Sequence, residues 1–92
     1  MNITKIKKQA ARTEFMVVKA DSQKVILWNM LLPYMSEEFH DESCYIDMED
    51  GEGLVVVLET RFNFVREYSL SQILDLIEEG ATCITPDQLI TI

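Results

Sequence analysis

Apolar residues near the start of the chain recur at helical spacing. Ile3, Ile6 and Ala10 form one stripe and the lysines lie largely off it, so the pattern predicts a short helix over Asn2 to Arg12. EFMVVK, Glu14 to Lys19, is rich in β-formers and reads as a strand. Ser22 can cap a second helix that begins at Gln23 or Lys24 and runs through VILWNMLLPYM. Proline lacks the amide hydrogen that a helix interior needs, so Pro33 forces a kink or a new start there.

The periodicity then changes from helical to alternating. Ser43 to Met48 alternates loosely, EDGEG supplies a turn, and LVVVLET from Leu54 to Thr60 is the clearest strand in the chain. Arg61 to Tyr68 keeps Phe62 and Phe64 in alternation and continues the meander. Ser69 with Gln72 three residues later is a capping box. It opens a third helix with Leu70, Ile73, Leu74 and Ile77 inward, closed by Gly80. Thr85-Pro86 starts a helical turn, and LITI after it resembles a last strand. The order α-β-α-β-β-β-α-β, with antiparallel hairpins and helices to one side, is α+β: a small antiparallel sheet of about four strands with about three helices.

The second helix is unusual. Val25, Ile26, Leu27, Trp28, Met30, Leu31, Leu32, Tyr34 and Met35 make it apolar around most of its circumference, where a surface helix needs only one stripe. Either it is central to the core or its second face meets another chain, and the pattern leaves both open.

Ninety-two residues support one domain, 1–92, and one core. The hydrophobic fraction of 48% is that of a folded protein despite a net charge of −8. No stretch approaches the roughly 18–20 apolar residues of a membrane span. No apolar segment follows the N-terminal lysines, so no secretory signal is expected. Cys44 and Cys83 do not form a CxxC pair and are expected to be reduced thiols in a cytoplasmic protein.

Charge changes the picture most. Eight of the sixteen acidic residues fall between Glu37 and Glu52, in EEFHDESCYIDMEDGE, which holds no lysine or arginine. Residues 1–24 carry a local net charge of +4 and residues 25–92 one of −12. Such a field repels itself and works against compactness, so it serves solubility or meets something basic.

Catalytic signatures are nearly absent, and a non-enzyme with no cofactor and no metal is expected. The lone histidine, His40, has Cys44 four residues on, but a zinc site would need two more ligands. The carboxylates around Cys44 raise a thiol pKa and so work against a nucleophile. A calcium loop opening at Asp47 fails, because Glu52 stands where glycine is required and Leu58 where glutamate is. No glycine-rich phosphate loop occurs. Nucleic acid is an unsuitable partner at a pI near 4.4, although Lys5, Lys7, Lys8, Arg12, Lys19 and Lys24 cluster in sequence.

The acids themselves carry a pattern. On a helix continued past Pro33, Glu37 with Asp41 and Glu38 with Glu42 would be i,i+4 pairs, and Asp75, Glu78 and Glu79 repeat the arrangement on the third helix. Like-charge pairs of this kind cost about 0.2–0.5 kcal/mol each, and ordinary surfaces alternate signs to avoid them. Asp47 and Glu49 fall on one side of a strand, with Asp50 and Glu52 at the turn. Helical i,i+4 carboxylates start about 5–6 Å apart and alternate strand residues about 6.6 Å apart, on the scale of charges along nucleic acid. Rows of these residues offer a DNA-binding protein's lysines and arginines something like their usual ligand.

The length, the basic start MNITKIKK and the acidic middle EEFHDESCYIDMEDGE together resemble the Arn proteins of T-even-type phages, small acidic anti-restriction proteins regarded as DNA mimics. The resemblance implies a homodimer acting in the host cytoplasm, and inhibition of a restriction endonuclease of the McrBC type that cleaves modified DNA. It also implies binding to a histone-like nucleoid protein. An acidic antitoxin or immunity-type inhibitor, covering a basic active site without imitating DNA, is the alternative.

Overall fold

The computed structural model describes residues 3–15, 20–40, 43–49, 52–59 and 64–91. Helix α1 spans Ile3–Phe15 and α2 spans Ala20–Leu31. Strands β1 (Cys44–Glu49), β2 (Glu52–Glu59) and β3 (Phe64–Ser69) follow, and then helix α3 (Leu70–Glu78). Single 3-10 turns stand at Leu32–Tyr34, Glu37–Phe39 and Pro86–Gln88. The fold is α+β, three helices with an antiparallel sheet in the order β1-β2-β3.

Strand register sorts the sheet into two faces, because successive side chains point to opposite sides. Cys44 lies opposite Val57, Ile46 opposite Val55, and Val55 in turn opposite Tyr68. These residues, with Met48, join Leu27 and Leu31 of α2, Ile6 and Ala10 of α1, and Leu70, Ile73 and Ile77 of α3 in one apolar cluster. The other face carries Tyr45 and Asp47 from β1, Glu52, Leu54, Val56 and Leu58 from β2, and Val65 and Glu67 from β3. Leu54 and Val56 are buried there, outside that cluster.

Several expectations change. The third helix and the meander form as the pattern predicts, but among the described residues the sheet has three strands, not about four. LITI makes only an isolated bridge, Thr91 with Tyr68. The amide of Gln72 takes one of its backbone groups instead: Gln72 Oε1 accepts from the Ile90 N–H at 3.0 Å, and Gln72 Nε2 donates to the carbonyl of Gln88 just before the segment at 3.2 Å. Glu14 and Phe15 belong to α1, not to a strand; Met16 to Lys19 lie outside the described residues. The helix persists there because Thr13 is buried and donates to the Gln9 carbonyl at 2.7 Å, while the Gln9 amide reaches Gln23 Oε1 at 2.7 Å and joins α1 to α2.

Ser22 lies inside the first turn of α2, which begins at Ala20, and does not cap it. No α-helix continues past Pro33. The Ile84 N–H donates to the Tyr34 carbonyl and the Ser36 N–H to the Ile84 carbonyl, both at 2.8 Å. Those groups are then lost to an α-helical ladder, and among the described residues before β1 a single 3-10 turn, Glu37–Phe39, follows. Asp41 and Glu42, the expected i,i+4 partners of Glu37 and Glu38, lie outside the described residues.

Helix α3 starts and ends where its sequence predicts, but the expected capping box is only half made. The Ser69 hydroxyl accepts from the Gln72 N–H at 3.4 Å, while the Gln72 side chain turns to Ile90 and Gln88 instead of back to Ser69. At the other end Gly80 takes φ +103, with Gly80 N–H to Ile77 O at 3.0 Å and Ala81 N–H to Leu76 O at 2.9 Å. This is the paired closure of a Schellman motif, which favours glycine because a side chain is strained at positive φ. Gly53 has a different requirement: a Cβ there would meet Leu70 Cδ2 at 2.4 Å. Gly53→Ala is expected to cost about 1–3 kcal/mol by overpacking, and Gly80→Ala about 1–2 kcal/mol by backbone strain. Urea denaturation checks both; a neutral Gly53→Ala would show that Leu70 can move aside.

Candidate functional site

The structure separates the acids predicted to meet a partner into three groups. Glu37 and Glu38 are exposed on the 3-10 turn that follows Ser36. Asp47 and Glu52 stand on the outer sheet face. Glu49 ends β1 opposite Glu52 in the register, while Asp41, Glu42 and Asp50 lie outside the described residues. Asp75, Glu78 and Glu79 are exposed at the C-terminal end of α3.

Two of these acids are paired within the chain. Lys7 Nζ lies 2.6 Å from Glu78 Oε2 and Lys24 Nζ 3.4 Å from Asp47 Oδ1. The second pair is loose, and Asp47 Oδ1 also accepts the Met48 N–H at 2.9 Å. Part of the basic N-terminal region thus neutralises acids of its own chain. Lys5, Lys8 and Arg12 line a separate shallow groove of about 250 Å³ with Gln9 and Met30.

Glu67 belongs to the outer sheet face and sequence reasoning missed it. Its signal was the alternation Val65, Glu67 once β3 is set in register. At about 6.6 Å per two residues and about 4.8 Å between strands, the backbones of Asp47 and Glu52 stand about 8 Å apart. The charged side chains described on this face are all carboxylates: Asp47, Glu52 and Glu67. Glu14 is a second omission, hidden by its expected place in a strand. It lines a groove of about 660 Å³ with Lys7, Glu52, Ser69, Leu70 and Asp75. That groove is what connects the sheet acids to those of α3.

The basic residue of β3 lies on the other side of the sheet. Arg66 stands over the Phe64 ring, 5.2 Å from its centroid. Its guanidinium is held above the ordinary arginine pKa, first by a hydrogen bond to Tyr68, which outweighs the opposing effect of desolvation, and further by the charges of Tyr68, Glu59 and Glu38.

An apolar groove of about 310 Å³ opens between α2 and β1, lined by Lys24, Val25, Trp28, Cys44, Tyr45, Ile46 and Asp47. Leu27 and Leu31 bury one side of α2 completely, but Val25 is 61% exposed and Ile26 45%. The helix is therefore central on one side and open on the other.

His40 Nε2 lies 3.2 Å from the Met35 carbonyl oxygen. Among the described residues no group of three or more His, Cys, Asp and Glu is placed to hold a metal ion, and no helix is long and apolar enough to cross a membrane. Cys44 is buried and Cys83 exposed, and neither is in a disulfide. Comparison with known proteins brings no family: no family model matches the chain, and no curated protein or solved structure was found similar to it.

The α3 acids oppose the stability of their own helix. Its last turn holds no basic residue, yet the C-terminal end of a helix carries partial negative charge and favours cations. Glu79→Lys is expected to stabilise the fold by about 0.3–1 kcal/mol at low ionic strength. Asp47→Ala should instead cost about 1 kcal/mol, because it strips the Met48 N–H of its acceptor. Urea midpoints of the two variants check the contrast, and a destabilised Glu79→Lys would mean that Glu79 has a stabilising contact of its own.

Proposed function

We propose that this protein acts by binding and not by catalysis: its acidic face captures a basic DNA-binding protein in place of DNA. One observation carries the reading. The described charges of the outer sheet face are all carboxylates, set by strand geometry at separations that a row of lysines and arginines on a nucleic-acid-binding surface can meet. Glu37, Glu38, Asp75 and Glu79 extend the negative field beyond the sheet.

The target class comes from the resemblance to the Arn proteins. In this reading the partner is a restriction endonuclease that cleaves modified DNA, with a histone-like nucleoid protein as a second target, in the cytoplasm of the host cell. Dimerisation is part of the same reading. A two-fold contact through the outer sheet face would set Asp47, Glu52 and Glu67 against carboxylates of the second copy, so that face is left to the partner.

An immunity-type inhibitor of a single basic enzyme is the second reading, and the apolar groove beside Asp47 favours it, because DNA offers no such feature. Substrate titration separates the two. With cleavable duplex varied at several concentrations of this protein, a mimic raises apparent KM and leaves the maximal rate unchanged. A lowered maximal rate with DNA still bound would place the contact elsewhere on the enzyme and overturn mimicry. Changing Asp47, Glu52 and Glu67 together to their amides should weaken inhibition about tenfold or more and flatten its salt dependence.

A further inference from the structure

We propose that the groove between α2 and β1 seats an apolar side chain of the basic partner, one flanked by lysine or arginine. The acidic face is then an anchored interface and not a uniform field. The inference rests on the reading that this face binds a basic protein.

The walls are apolar: Val25 and Trp28 from α2, and Cys44, Tyr45 and Ile46 from β1. They are firm, because Leu27 is fully buried and Ile46 nearly so in the core beneath. The mouth is open, with Val25 61% and Tyr45 45% exposed. A volume of about 310 Å³ accepts one large side chain with its neighbouring backbone.

Charge selects the occupant. Tyr45 and Asp47 belong both to this groove and to the outer sheet face, whose described charges are all acidic. Nucleic acid or a second acidic face would meet like charge here, whereas a lysine or arginine beside the inserted side chain would reach Asp47. Lys24, also in the groove lining, stands 3.4 Å from that carboxylate, which stays 44% exposed and open to a second cation. Binding energy in protein interfaces concentrates in such pockets, where an apolar anchor excludes water and a polar rim orients it.

The probes are two synthetic peptides, Lys-Arg-Leu-Arg-Lys and Lys-Arg-Gly-Arg-Lys, each titrated into the full chain at low salt. Trp28 is the only tryptophan, so its emission reports occupancy of the groove. The leucine peptide is expected to bind about tenfold more tightly and to shift Trp28 emission, while the glycine peptide binds without the shift. Val25→Ser, on α2 and off the sheet face, should erase the difference and leave the glycine peptide's affinity unchanged, with an unaltered circular dichroism spectrum showing that the variant folds. Equal affinities of the two peptides, with Trp28 emission unmoved, would overturn the anchor and leave the acidic face standing. Failure of both peptides to bind would overturn the acidic face as well.

Discussion

The Tyr34–Ile84–Ser36 exchange of backbone hydrogen bonds is the junction on which the rest of the molecule depends. It joins the segment after α2 to the segment after α3, so the two helices cannot drift apart without breaking it. It ends the helical run at Pro33, swings Phe39 inward until its ring meets Tyr68 edge-on at 5.8 Å, and leaves Glu37 and Glu38 outside. Ile84 and Phe39 are almost fully buried at this junction, and a buried, paired backbone is costly to open.

Charge is distributed over that frame without regard for stability. The α3 carboxylates sit at the helix end that disfavours them, and the outer sheet face gathers acids although opposite signs across strands would stabilise it. The lysines that face acids do so at the boundaries: Lys7 holds Glu78, and Lys24 holds Asp47. Both pairs are partly exposed, and such pairs contribute little. A fold that carries unfavourable charge on a sound core is using the core to support the charge.

What the sequence made legible was local. The strand over Leu54 to Glu59 is centred on the β-branched run Val55 to Val57, and the Ser69 cap and Gly80 closure act through neighbours a few residues away; these form as the pattern predicts, save that the Gln72 side chain leaves the capping box. What it hid was decided at long range. The LITI segment has strand-like residues, yet the side chain of Gln72, eighteen positions from Ile90, takes the Ile90 N–H. A helix beyond Pro33 was excluded by Ile84, a residue about fifty positions from Tyr34 that no local pattern could place there. The acidic character of the site was visible in composition. Its membership was not: Glu67 and Glu14 entered only once register and helix length were known, and Glu78 proved to be tied to Lys7.

Asp47 has a consequence beyond its charge. In antiparallel pairing the Leu58 N–H to Ser43 O bond fixes which backbone groups of β1 turn toward β2. By alternation those of Ile46 and Met48 turn away from it, along the open border of the sheet. Such a border recruits strands from other molecules, and proteins blunt it with inward-curling or charged side chains. Asp47 does this by folding its carboxylate onto the Met48 N–H, with Lys24 drawn in beside it. The residue that helps give the surface its negative charge is also the guard of β1, so evolution cannot freely remove that acid without exposing the sheet to its own copies.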